Sequence, residues 1–256
     1  MLNPHFFLGL PQSFKEKCFI YPPSIEETLR VENYQRYRHL LTISQEELED
    51  EYIQEKEKQR ITDSDFNVPT PFEYLLINAY HNKNFERLAQ QAFQFFIKQP
   101  VTFVYEKKAI LIGDLREKIL QSKTPNFNNL IFIDEEEYFD FQNMIREAIG
   151  DKTVEKPRPD EDPRIKRIKA KARYRDKIKA EKGMGVSLGT SLAAICCMNV
   201  GLNPLNVGKV SFVALRALTD IYQDKERYQL DIESLLAGAD SKKVKPKYWI
   251  KNSNEQ

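Results

Sequence analysis

From Pro163 to Lys182 the chain carries ten Lys or Arg side chains against two acids. Wound as a helix, this run has no wide apolar stripe: Ile165, Ile168 and Ala172 share one side, and Tyr174 and Ile178 lie nearly opposite. Burial cannot hold such a segment, so the core must form from the stretches on either side. Residues 155–163 hold three prolines and four acids, which disfavours packing, and Gly183 and Gly185 stop a helix on the far side. The chain therefore reads as an N-terminal unit over 1–154, a linker over 155–163, a basic helix over 164–182 and a C-terminal unit over 183–256 with a Lys-rich tail. The basic helix would be roughly 30 Å long at 1.5 Å per residue.

Charge follows the same division. The net charge is only +1, yet residues 163–256 hold 19 basic and 9 acidic side chains, while residues 1–162 hold 20 basic and 29 acidic. Opposite halves can attract each other, or copies can pair head to tail as a homo-oligomer. With 41% apolar residues in 256, most of the chain can bury a core. The three cysteines, Cys18, Cys196 and Cys197, are odd in number and two are adjacent, which is no disulfide framework and points to a reducing cytoplasm. The start lacks the basic residues and apolar run of a signal peptide. Val186 to Val200, the most apolar stretch, is broken by Gly189, Ser191 and Asn199 and is too short to span a bilayer, so no membrane association is expected.

Local signals place the elements. Cys18 to Tyr21 reads as a short strand stopped by Pro22-Pro23. Ser24 with Glu27, and Ser44 with Glu47, are capping boxes. They open a helix to about Leu41, with Ile25, Leu29 and Tyr37 inward, and a charged helix from Gln45 to about Arg60. Thr70-Pro71 starts a helix with Phe72, Leu75, Leu76, Ala79 and Tyr80 at inward spacing. A second helix carries Phe85, Leu88, Ala92, Phe93, Phe96 and Ile97. Val101 to Tyr105 and Ala109 to Ile112 read as a hairpin, and Leu130 to Ile133 as a further strand. Asp134 caps a helix to Ile149. In the C-terminal unit, Leu188 to Val200 is a short helix. Asn203-Pro204 starts a long one with Val210, Val213, Ala214, Ala217, Leu218, Ile221 and Tyr222 at helical spacing, running to a stop at Gly238. The fold class is predominantly α with a small β component: α+β in the first part, all-α in the last.

No constellation specifies an enzyme, a metal or a cofactor. His5, His39 and His81 lack partners at metal-ligand spacing. Cys196-Cys197 reads as packing on an apolar helix rather than a redox pair. Gly183 to Gly189 lacks the Gly-Lys-Ser/Thr of a phosphate loop and reads as a hinge. Glu46–Glu51 and Asp134–Glu137 read as solvated helix starts, where the helix dipole favours acids. The basic helix admits two readings. Arg164, Arg167, Lys171, Arg175 and Lys179 can track nucleic-acid phosphates, or the helix can serve as a connecting or partner-docking arm. The sequence has no homeodomain, zinc-finger or RNA-recognition signature, and the arm reading is preferred.

Several stretches together resemble the tail assembly chaperones of long-tailed bacteriophages and prophages of Gram-positive bacteria. They are Phe19 to Glu27, Ile133 to Met144, and above all the end: Leu218-Thr219-Asp220-Ile221-Tyr222, Leu235-Leu236-Ala237-Gly238-Ala239, Lys242-Lys243-Val244-Lys245 and Tyr248-Trp249-Ile250. The resemblance implies a non-enzymatic protein of the host cytoplasm that binds the tape measure protein before tail tube subunits polymerise around it. Such a protein leaves on assembly and is absent from the mature virion. This chain is longer than many members, and its α+β first half departs from their pattern. Under this reading Val210, Val213, Ala217, Leu218, Ile221, Tyr222 and Trp249 are the contact candidates, offering an apolar face to a partner helix. The alternatives are nucleic-acid binding through residues 164–182, and a permanent connector or baseplate part.

Overall fold

The computed structural model describes residues 3–59, 68–113, 131–156, 165, 168–169, 188–197 and 201–248. The fold is predominantly helical with a small β component. A short helix α1 (Pro4–Phe7) leads into a hairpin of β1 (Gln12–Phe14) and β2 (Cys18–Ile20). Helices α2 (Ile25–Arg30), α3 (Tyr34–Thr42), α4 (Gln45–Gln59), α5 (Pro71–His81) and α6 (Lys83–Ile97) follow. A three-stranded antiparallel sheet comprises β3 (Val101–Val104), β4 (Ala109–Ile112) and β5 (Ile131–Ile133), with β4 in the middle. Helix α7 (Glu135–Ala148) ends the first part, and α8 (Leu188–Cys197) and α9 (Phe212–Leu236) form the last.

The capping signals are realised as hydrogen bonds. Ser24 Oγ accepts from the Glu27 amide at 3.2 Å, and the Glu27 carboxylate accepts from the Ser24 amide at 2.9 Å. Thr70 with Glu73 and Ser44 with Glu47 make the same reciprocal pair. Burial pushes the Glu27 carboxyl up, but the Ser24 amide and the Lys98 ammonium 3.1 Å away hold it below the usual carboxylate range.

The aromatic residues of α6 and α7 make the centre. Phe93 is fully buried, stacks on Phe141 at 5.5 Å and meets Phe103 of β3 edge-on at 6.2 Å. Phe14 of the hairpin meets Phe141 edge-on at 5.5 Å, and Phe72 of α5 lies 5.1 Å from Tyr138. The Phe96 carbonyl accepts from the Tyr21 amide at 2.8 Å, which fixes β2 on the end of α6. Lys15 pairs with Asp140 at 2.7 Å and Lys17 donates to the Phe132 carbonyl at 2.7 Å and to Glu137, so the hairpin is fastened to α7 and β5.

Several expectations are corrected. The helix expected from Ser24 to Leu41 is two helices, broken where Val31 turns extended (φ −94°, ψ 105°). Within α2 it is Ile25 and Thr28 that turn inward, while Leu29, expected inward, is 63% exposed, and Tyr80 likewise lies outside at 62%. Glu49 and Asp50, expected in a solvated helix start, are buried, as is Leu48 beside them, and Glu47 of the same helix pairs with Arg146 at 3.4 Å. The long C-terminal helix begins at Ser211, not Asn203. Asn203 and Asn206 spend their side chains on a local turn, in which Asn206 Oδ1 accepts from the Asn203 amide at 2.7 Å.

The stretches separated by the linker in sequence meet in space. Ser24 and Ser211 form an antiparallel bridge, with Ile25 donating to the Val210 carbonyl at 3.0 Å and Phe212 donating to the Pro23 carbonyl at 2.9 Å. Val213 enters the main core, and Leu215 joins Ile25, Ile195 and Val207 in a second, smaller one. Residues 207–215 thus close against residues of the first part.

The buried hydroxyls of Tyr34 and Tyr138 make no hydrogen bond among the described residues. Burial raises both above the ordinary tyrosine value and pushes the Cys18 thiol up to about 12. The unfolded chain gives up these protons from about pH 8.5 to 10, while the native state keeps them. The native state therefore binds more protons in that range, and its stability, full below about pH 8.5, falls as the pH rises through and beyond it. Urea midpoints measured from pH 7 to pH 11 should decline, and Tyr138→Phe should flatten the decline. Iodoacetamide at pH 8 should modify exposed Cys197 and spare Cys18; alkylation of both at one rate would contradict this account.

Candidate partner-binding surface

Helix α9 holds most of the contact candidates. Its N-cap is anchored twice: Ser211 Oγ accepts from the Ala214 amide at 3.1 Å and donates to the Phe7 carbonyl at 3.1 Å. Over the first turn Val213, Ala214 and Leu215 are buried. Arg216 then reaches back to Asp151, which also accepts three contacts of 2.9–3.0 Å from the Arg38 guanidinium. Gly150, at φ +72°, makes this approach possible: a Cβ there would lie 3.3 Å from Arg216 Cδ and 3.5 Å from Val213 Cα.

Past Leu218 no residue of the helix is buried. The 25 residues of α9 extend roughly 37 Å, so most of its length lies beyond the turn that docks it. Ile221 is 44% exposed, Leu230 60% and Leu236 83%. The Tyr222 hydroxyl is held by Glu226 one turn further on, a bond that raises its pKa above the ordinary value.

The structure divides the candidates. Val213 is interior and serves the core. Val210 is half-buried, extended (φ −70°, ψ 141°) and outside the helix, its carbonyl used by Ile25. Leu218 is half-buried against the smaller core, and Ala217 and Tyr222 are half-buried. Ile221 alone of the described candidates is exposed. Trp249 and the basic-arm residues Arg164, Arg167, Lys171, Arg175 and Lys179 lie outside the described residues. Within that arm Ile165, Ile168 and Lys169 are described, in helical conformation and exposed.

The contact candidates read from the sequence leave out two residues of this surface, Tyr228 and Tyr248. Helix α9 ends in a Schellman turn: the Gly238 amide donates to the Leu235 carbonyl and the Ala239 amide to the Ser234 carbonyl, both at 3.0 Å, with Gly238 at φ +93°. Asp240 then caps a second turn, accepting from the Lys242 amide through its side chain at 2.9 Å and from Lys243 and Val244 through its carbonyl. The chain returns along the helix, and the ring of Tyr248 meets Tyr228 edge-on at 5.6 Å. The sequence carries the helix on through Tyr228, Ile232 and Leu235, but the candidate face read from it ends at Tyr222.

Among the described residues there is no cluster of His, Cys, Asp or Glu that could hold a metal ion, and no helix long and apolar enough to cross a membrane. Comparison of the chain with protein-family models, with curated proteins and with solved structures finds no match.

Proposed function

We propose that this chain is a non-enzymatic tail assembly chaperone of a bacteriophage or prophage, which binds the tape measure protein in the host cytoplasm and keeps it soluble until the tail is built. The observation that carries the reading is the outer part of α9. It is a long helix fixed to the body at one end, with Ile221 and the half-buried Tyr222, Tyr228, Ile232 and Leu235 beyond the docked turn. Such a face can take the apolar side of a partner helix. The resemblance of residues 218–250 to these chaperones supports the choice of partner.

Co-expression of the full chain with a helical tape measure fragment should bring the fragment into the soluble fraction as a stoichiometric complex. Ile221→Asp should weaken that complex about tenfold or more while the variant still folds, because the residue is exposed. A fragment that stays insoluble beside abundant chain would overturn the reading, and so would finding the chain as a stoichiometric part of purified particles. The ten basic residues of the arm favour a second reading, nucleic-acid binding. It requires an affinity for DNA or RNA that falls steeply with salt.

A further inference from the structure

Beyond the docked turn, Leu218, Ile221, Lys225, Tyr228, Ile232 and Leu235 follow one another at steps of three and four. That is the spacing of a coiled-coil seam, with one charged residue, Lys225, set in it. Two acids, Asp224 and Asp231, flank the seam on one side, and Tyr222, Gln229 and Leu236 flank it on the other. From Asp220 to Leu236 the helix holds five acids against two basic residues. A second α9 would supply no basic flank to these acids in either orientation, so the charge pattern disfavours self-pairing. It fits a helix with lysine or arginine beside an apolar seam.

The chain itself already places a segment of that chemistry here. The tail after Gly238 carries Lys242, Lys243, Lys245 and Lys247, all exposed, while Val244 and Pro246 between them are half-buried. Its Tyr248 lies against Tyr228 in the middle of the seam. The Schellman turn and the Asp240 turn set the direction of return, so the contact follows from the backbone path as well as from the side chains.

We infer that the outer seam of α9 is a docking track for a basic amphipathic helix, and that the Asp240–Tyr248 tail is its resident occupant, a strap that the incoming helix displaces. The inference rests on α9 being the partner surface proposed above and adds how access to it is controlled. The strap is short and largely exposed. It therefore lowers the affinity of the track for a partner without closing it.

The test uses the full chain and two synthetic helices with leucine along the seam, one flanked by lysine and one by glutamate. Fluorescence anisotropy should show binding of the lysine-flanked helix and none of the other. The double variant Val244→Ser, Tyr248→Ala leaves every charge in place and should bind the lysine-flanked helix about fivefold more tightly. Hydrogen exchange over residues 240–248 of the unaltered chain should speed up when that helix binds. Failure of every form to bind it would overturn the track. Equal affinities, or exchange unchanged on binding, would overturn the strap. Neither outcome decides the chaperone reading, which stands or falls on solubilisation of the tape measure fragment.

Discussion

Phe93→Ala is expected to destabilise the fold by about 3–5 kcal/mol, the range for removing a large aromatic ring from a packed interior. Phe93 has no exposed surface, and its ring holds Phe141 of α7 on one side and Phe103 of β3 on another. The cavity would open where a helix, a strand and, through Phe141, the β1–β2 hairpin meet, so little of it can be filled by local collapse. For a chain of this length the loss corresponds to a fall in Tm of roughly 6–20 °C. Phe93→Leu, which keeps most of the volume, should cost less than half as much. A thermal shift of the alanine variant within 2 °C of the parent would show that the ring is not central.

The second large effect is expected at Asp151. Its side chain is 14% exposed and accepts from Arg38 through both oxygens and from Arg216 of α9. Arg146, half-buried nearby and paired with Glu47 at 3.4 Å, adds a third guanidinium. Asp151→Ala leaves these cations facing one another without the carboxylate between them. Breaking a fully buried pair costs about 3–5 kcal/mol; Arg38 and Arg216 keep part of their surface in water, so about 2–3 kcal/mol is expected here. The loss should be local as well as global. Hydrogen exchange over the first turns of α9 should rise more than exchange over α6. A double-mutant cycle with Arg216→Ala should recover part of the loss, since that change also removes one of the stranded cations. Strict additivity of the two substitutions would remove Asp151 as the link between α9 and the body.

What the sequence revealed depends on how local each signal was. The capping boxes at Ser24 and Ser44 were legible because all their atoms lie within four residues, and α5, α6 and α7 because apolar residues recur along each; the box of Thr70 with Glu73 was passed over for the proline beside it. The β1–β2 hairpin was hidden. Its turn puts Lys15 and Glu16 at φ 46° and 57°, where Asn-Gly is the usual sign, and the ties from Lys15 and Lys17 to α7 and β5 lie more than a hundred positions away. The start of α9 was misplaced because Asn203-Pro204 is a good helix signal that a local turn used first. At the candidate surface, periodicity ranked Val213 with Ile221. Only tertiary contacts separate them: Val213 enters the main core, with Gly150 close against its backbone, and Ile221 stays out. The path of the tail back to Tyr228 needed the actual turn at Gly238, which composition marks as a stop but does not orient.

The bond from Ser211 to the Phe7 carbonyl joins positions 204 apart in the chain. A ribosome adding about 5–20 residues per second takes roughly 10–40 s to cover that distance. Throughout that time the nascent first part has Pro23, Ile25 and α1 without the segment that completes them. The unfinished chain therefore presents an open edge beside α2 during synthesis, and completion of the body is timed by the emergence of residues 207–215 from the exit tunnel.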